Sequence, residues 1–141
     1  MWSRFKTLPV SERALVAVLF LTAALGASTA VRYLLTALSV PTATYALVQV
    51  LGIAAAGSWL YRPKLGIALS LLFYLPQLLS YAGPHGHWNY LSGTSITLNL
   101  VTGDGAANWQ LNVLALVLFS VTCSRLLQRQ PPNSQKDFEA I

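Results

Sequence analysis

Apolar residues occur in four long runs, and the segments between them carry most of the polar and charged residues. A helix needs about 20 predominantly apolar residues to cross a hydrocarbon core of about 30 Å, and each run comes close to that length. The predicted spans cover residues 14–31, 43–61, 65–82 and 110–127. We therefore predict an all-α polytopic membrane protein, in which a four-transmembrane-helix bundle forms a single membrane domain over residues 1–141.

The first run has a second interpretation. A basic segment precedes it and the run ends in small residues at 26–30, an arrangement also found in cleaved signal peptides. Its apolar part is longer than the roughly 7–15 residues of a signal peptide, which favours an uncleaved span. Cleavage would leave the arrangement of the later spans unchanged.

The pattern changes from helical to strand-like between the third and fourth runs. Residues 87–91 are rich in strand-forming types and residues 95–100 alternate strictly between polar and apolar, with Ser92, Gly93 and Thr94 as a turn between them. We predict a small external β-hairpin between helices 3 and 4. An isolated hairpin is only marginally stable, so it should lean on the helix ends, the membrane or another protein.

The distribution of basic residues predicts how the bundle is oriented in the membrane. Hydrophobic residues make up 55% of the chain and charged residues only 9%, too little polar surface to cover a soluble globule. Of the nine basic residues, Arg32 alone falls on the outer side; the others are Arg4, Lys6, Arg13, Arg62, Lys64, Arg125, Arg129 and Lys136. Short cytoplasmic segments are enriched in Lys and Arg. We therefore predict a multi-pass protein of the cytoplasmic (inner) membrane, with both termini and a tail at 128–141 in the cytoplasm and a loop at 83–109 outside.

The basic residues flank apolar runs and form no patch with interleaved aromatic residues, so nucleic-acid binding is not predicted. The single cysteine, Cys123, lies in the last apolar run and supports neither a disulfide nor a metal cluster. The chain has no nucleophile elbow, zinc-protease helix or phosphate-binding loop, and no pair of carboxylates within its spans. The sequence thus predicts no cofactor and no catalytic residues.

Polar residues within the spans gather at their outer ends. Arg32, Gln49, Gln77 and Asn112 place one polar side chain from each predicted helix at similar depth, in a medium that offers no hydrogen-bond partner. One interpretation is an outward-facing pocket floored by the two glutamines, with Arg32 as its cation, Asp104 as a partner for Arg32, and the hairpin as a lid. The other is that these side chains bond to one another and fix helix register.

Two histidines give a weaker hypothesis. His85 and His87 lie close together before the predicted hairpin, and with Asp104 they would supply ligands that suit a transition metal. No third strong ligand is near in sequence. A solvated loop is the favoured interpretation.

Transport is disfavoured, because alternating access needs polar groups along both halves of a path and the inner half has few. We expect a small integral membrane accessory protein, held in the lipid bilayer, that presents its external hairpin to another membrane or periplasmic protein or to a second copy. Trp88, Tyr90, Ile96 and Leu98 would form the partner surface. The alternative is a protein that binds a lipid or small molecule, or an enzyme, using the polar pocket around Arg32.

Overall fold

The computed structural model describes residues 2–91, 95–103 and 105–128, and these form five α-helices and four β-strands. The helices are α1 (Trp2–Thr7), α2 (Val10–Thr36), α3 (Val40–Tyr61), α4 (Pro63–Tyr74) and α5 (Val113–Gln128). A 3-10 turn at Leu75–Gln77 follows α4. The strands are β1 (Leu79–Gly83), β2 (Gly86–Trp88), β3 (Thr97–Val101) and β4 (Asn108–Asn112).

α2 and α3 form a long helical hairpin. A capping box begins α3: the Ser39 hydroxyl accepts the Thr42 backbone N–H, and the Thr42 hydroxyl accepts the Ser39 N–H at 2.9 Å. Pro41 fits the first turn of this helix, where no intrahelical N–H bond is required. By length and composition, α2 and α3 are both able to cross a membrane.

Two glycines let the helices approach closely. A Cβ at Gly52 would lie 2.6 Å from Phe73 Cε2 and 2.7 Å from Ala23 Cβ, so α2, α3 and α4 meet at this point. A Cβ at Gly66 would lie 2.6 Å from the Trp59 backbone nitrogen, near the turn between α3 and α4. Glycine occupies both positions because a larger side chain would clash with these neighbours.

The core draws on all four longer helices, with members such as Leu19, Trp59, Phe73 and Leu118. The ends of the bundle also meet, because the Arg125 guanidinium donates to the Ser11 hydroxyl at 2.8 Å and joins the end of α5 to the start of α2.

The bundle differs from a soluble protein in exposing many large apolar side chains while burying several polar ones. Its buried side chains include polar ones on every long helix: Thr22, Gln49, Ser70 and Thr122. Its exposed side chains include many large apolar ones: Phe20, Leu21, Leu25, Val31, Leu47, Val50, Leu72, Leu75, Val117 and Val121. An apolar surface this extensive indicates an apolar environment or a partner.

The predicted all-α bundle of four transmembrane helices is wrong. Only α2 and α3, among the helices in the described ranges, are long and apolar enough to cross a membrane. α4 has 12 residues and α5 has 16. At 1.5 Å per residue these lengths give about 18 Å and about 24 Å, short of a hydrocarbon core of about 30 Å.

β-Strands occupy the outer ends of the segments that were predicted as the third and fourth spanning helices. The predicted span 65–82 leaves the helix after Tyr74, because Pro76 has no N–H to continue the hydrogen bonding and its ring clashes with the preceding turn. The predicted span 110–127 becomes helical only at Val113, since residues 110–112 belong to β4. Asn112 then begins α5, its side-chain oxygen accepting the Ala115 N–H at 3.1 Å.

The four strands form one antiparallel sheet in the order β2-β1-β4-β3. The predicted pairing of residues 87–91 with 95–100 is wrong, because β2 and β3 lie at opposite edges; their proposed turn, 92–94, lies outside the described residues. The actual hairpins are β1–β2 and β3–β4. Gly105 serves the second turn with a φ of 68°, and its N–H donates to the Thr102 carbonyl at 2.8 Å.

Candidate interaction surface

The register divides the side chains of the sheet into two chemically different faces. Directly opposed residues of an antiparallel pair project to the same face, and the faces alternate along each strand. One face carries apolar and aromatic residues: Leu79, Tyr81, Trp88, Leu98, Leu100, Trp109 and Leu111. The opposite face carries mostly polar ones: Ser80, Ala82, His87, Thr97, Asn99, Val101, Asn108, Gln110 and Asn112. We call the first set the apolar face.

Most of the apolar face is exposed. Leu98 is 57% exposed and Leu100 65%, and Trp88, Trp109 and Leu79 are also exposed. On the other face, Ser80 and Asn112 are buried at 3% and 2% exposure where the sheet meets the helices. An antiparallel sheet with one solvated face normally buries its apolar side. The reversal marks the apolar face as a surface for interaction.

The buried part of the polar face is held by one side-chain and one backbone hydrogen bond. Ser80 donates to the Gln110 side-chain oxygen at 3.0 Å across the two central strands. The backbone N–H of Asn112 donates to the Leu78 carbonyl at 2.9 Å, next to the end of α4. These bonds fix which face of the sheet points to the helices.

β3 provides a free edge beside the apolar face. It pairs with β4 on one side, and no other strand within the described ranges pairs with its outer side. All five of its residues are uncharged. An unprotected edge of this kind is a template for a further strand.

The structure brings together part of the predicted partner surface. Trp88 and Leu98 share the apolar face, at opposite edges of the sheet. Ile96 is exposed just before β3, and its carbonyl accepts the Val113 N–H at 2.7 Å. The Tyr90 ring lies 6.2 Å from that of Trp88, and its hydroxyl lies 3.2 Å from that of Thr44 on α3.

The amides of the predicted polar pocket lie in the interior. Gln49 and Gln77 are each 1% exposed, and their side-chain nitrogens donate to their own helices, to the Tyr45 carbonyl at 3.4 Å and the Phe73 carbonyl at 2.8 Å. The side-chain oxygen of Gln49 has no hydrogen-bond partner among the described residues. Arg32 is exposed on α2, and Asp104 lies outside the described residues.

A cleft of about 390 Å³ lies between the helical hairpin and the sheet, which we call the outer cleft. Its walls include Tyr33 and Tyr45, whose ring centroids are 6.0 Å apart and nearly perpendicular. Tyr45 also donates to the Leu91 carbonyl at 3.2 Å. His87 and Asn89 close the opposite wall. The cleft therefore combines aromatic rings with neutral hydrogen-bonding groups.

The two histidines are exposed on either side of Gly86. His85 lies in the β1–β2 turn, and His87 lines the outer cleft. No group of three His, Cys, Asp or Glu residues that could hold a metal ion occurs in the described part of the chain. Because Asp104 lies outside that part, the metal site stays a prediction.

The chain matches no protein-family model, no curated protein and no solved structure. Its function must therefore be argued from its own residues and geometry.

The sequence interpretation missed several residues of both sites. Tyr81 falls in the predicted span 65–82 and Trp109 in the predicted loop 83–109, yet their rings pack together at the centre of the apolar face. The alternation of apolar and polar residues at 79–82 and 108–112 was the sequence signal that could have indicated strands there. Tyr33 and Tyr45 carried no such signal, because their approach depends on how α2 and α3 pack.

Proposed function

We propose that this chain is an integral membrane accessory protein that binds a partner protein through the apolar face and the free edge of β3. The observation that supports this most directly is the sheet, which buries Ser80 and Asn112 of its polar face against the helices while most of its apolar face is exposed. Without a partner, the apolar face would be in contact with water or lipid.

The membrane part of the proposal is supported by the helices. α2 and α3 are long and apolar enough to cross, and the bundle exposes leucine and valine while burying hydroxyl and amide groups. The described basic residues other than Arg32 flank one end of the helices: Arg4, Lys6, Arg13, Arg62, Lys64 and Arg125. We place this end, with both termini, in the cytoplasm, and the sheet on the outer side of the inner membrane.

The position of the sheet along the helices favours a protein, rather than lipid, as the molecule that covers the apolar face. Gly52 of α3 faces Phe73 of α4, and seven residues nearer the start of α3, Tyr45 bonds the Leu91 carbonyl. The sheet region thus lies beside the outer turns of the hairpin, at the membrane boundary. Lipid tails cannot bond the backbone groups of a free strand edge, whereas a strand from a partner can.

The chemistry of the surface defines the partner segment. β3 reads Thr97-Leu98-Asn99-Leu100-Val101, and its edge suits an extended, uncharged segment in which apolar residues alternate with polar ones. Such a segment would continue the row formed by Leu98 and Leu100 and extend the apolar face by one strand.

Photo-crosslinking within β3 tests this assignment with a matched control. A photoreactive amino acid at position 100 lies on the apolar face, whereas the same group at 101 lies on the opposite face, and the natural residues are similarly exposed, Leu100 at 65% and Val101 at 61%. In intact membranes, position 100 should give a discrete adduct of defined mass and position 101 much less.

The adduct also identifies the occupant. A protein adduct supports the proposal, and one with twice the mass of the chain makes the partner a second copy. Adducts with lipid alone at position 100, or equal labelling at both positions, would rule out a protein docked on the apolar face.

The outer cleft favours a second candidate function, the binding of a small molecule. Its volume of about 390 Å³ lies within the range of about 300–1,000 Å³ that is usual for ligand sites. Replacing Thr29, which lines the cleft, by Trp should fill it. Native mass spectrometry should show a bound small molecule in the wild type and none in Thr29→Trp; identical masses without ligand would remove this candidate.

A further inference from the structure

A second concave surface lies at the basic end of the bundle, away from the sheet. It is an apolar groove of about 610 Å³ between α1, α2 and α3, which we call the inner groove. Phe5, Phe20, Ile53, Gly57 and Leu60 are among its lining residues, and all of its lining residues are apolar. The α3 residues span positions 53 to 60. At 1.5 Å per residue, the groove follows the helix for about 10 Å.

Positively charged side chains lie at one end of the inner groove. The Arg4 guanidinium carbon lies 4.8 Å from the centroid of the Tyr61 ring, a cation–π contact that holds the charge in place. Arg4 precedes Phe5 and Tyr61 follows Leu60, and both of these neighbours line the groove. The contact therefore lies next to the end of the groove that Phe5 and Leu60 line, which we call its mouth.

The accessible charge at this mouth is positive. Arg4, Lys6 and Arg62 are all exposed. The acidic residue in the described part of the chain is Glu12, which is buried at 4% exposure. An apolar slot next to fixed cations has the two features that an anionic lipid requires, a site for its acyl chain and a site for its phosphate.

We propose that the inner groove binds an anionic phospholipid of the surrounding membrane, with part of one acyl chain in the groove and the phosphate at Arg4. Exposed Arg62 adds to the attraction. The inference rests on the membrane placement proposed above, but not on the docking role of the sheet. The cytoplasmic leaflet, where we place this end, is the one rich in anionic headgroups.

The chain offers one variant for each half of the site. Gly57 lines the groove and has no heavy atom within 4 Å of a Cβ built on it, so Gly57→Leu should place its side chain in the groove. Arg4→Gln removes the cation that lies over Tyr61. Arg32→Gln is the matched control, since it removes an exposed arginine from the opposite end of α2.

Binding is measured by native mass spectrometry of the full chain released from nanodiscs that contain equal amounts of phosphatidylglycerol and phosphatidylcholine. The wild type should retain phosphatidylglycerol preferentially. Arg4→Gln should lower this preference about fivefold, as expected for the loss of one cation near the headgroup. Gly57→Leu should reduce retention of both lipids, and Arg32→Gln should match the wild type.

Several outcomes would overturn the proposal: no preference in the wild type, no change in Arg4→Gln, or the same loss in Arg32→Gln. A dimer of the wild type that Gly57→Leu dissociates would show that a second copy fills the groove instead. If Gly57→Leu does not fold, the comparison of Arg4→Gln with Arg32→Gln decides. Crosslinking at position 100 is a separate readout, so failure here and failure of the docking role are distinguishable.

Discussion

The ring centroids of Tyr81 and Trp109 lie 4.6 Å apart, where the two residues oppose each other in β1 and β4. β1 follows α4 and β4 leads into α5, so this pair joins the two helices through the centre of the sheet. Tyr81 is half-buried and Trp109 more exposed. The pair therefore stabilises the sheet and forms the middle of the apolar face.

Trp109→Ala should weaken the sheet. Aromatic pairs contribute about 1 kcal/mol beyond the burial of their area, so the free energy of unfolding should fall by at least that amount. Thermal unfolding in detergent, followed by circular dichroism, measures the change. Leu98→Ala at the exposed edge is the control, with an expected change within about 0.5 kcal/mol. An equal loss in both variants would show that the ring pair has no special role.

Gly52→Ala should destabilise the bundle. Its new methyl group would lie 2.6 Å from Phe73 and 2.7 Å from Ala23, and overpacking of this kind costs about 1–3 kcal/mol. Gly57→Ala is the matched control on the same helix, because open space surrounds its Cβ. Since alanine is the better helix former by about 1 kcal/mol, this control should be neutral or stabilising. If chemical denaturation gave the same free energy of unfolding for the two variants, Gly52 would not be a point of tight packing.

The first two apolar runs could be assigned to helices from sequence because each forms one regular element. Residues 14–31 and 43–61 fall within α2 and α3. The run at 65–82 contains a helix followed by a strand. Average hydrophobicity along the run does not distinguish this arrangement from one continuous helix. Pro76 and the alternation Leu79-Ser80-Tyr81-Ala82 were the local signals of that change.

The faces of the sheet could not be predicted, because they depend on pairings between distant residues. Tyr81 meets Trp109 across 28 positions, and Leu98 meets Leu111 through a register that local sequence does not determine. The side-chain contacts around the predicted polar pocket could not be predicted for a related reason. Gln49 and Gln77 share a depth, yet each bonds its own helix in the interior, while distant Tyr33, Tyr45 and His87 line the outer cleft.

Ser70→Ala should destabilise the contact between α3 and α4. The Trp59 indole N–H donates to the Ser70 hydroxyl at 2.9 Å, and that hydroxyl donates to the Gly66 carbonyl at 2.7 Å, in a fully buried site. Removing the acceptor of a buried donor costs about 1–3 kcal/mol. Ser124→Ala is the control, because its exposed hydroxyl bonds only carbonyls of α5. Equal unfolding temperatures for the two variants would contradict this role of the hydroxyl.

Asn112→Ala should shift the boundary between the sheet and α5. The buried side-chain oxygen of Asn112 accepts the Ala115 N–H at 3.1 Å and caps the helix, and loss of such a cap costs about 1 kcal/mol. Asn112→Ser keeps an oxygen able to cap and should recover most of the loss. Hydrogen exchange should show faster exchange of the Ala115 amide in Asn112→Ala but not in Asn112→Ser. Unchanged exchange in both would mean that β4, rather than the cap, determines where α5 begins.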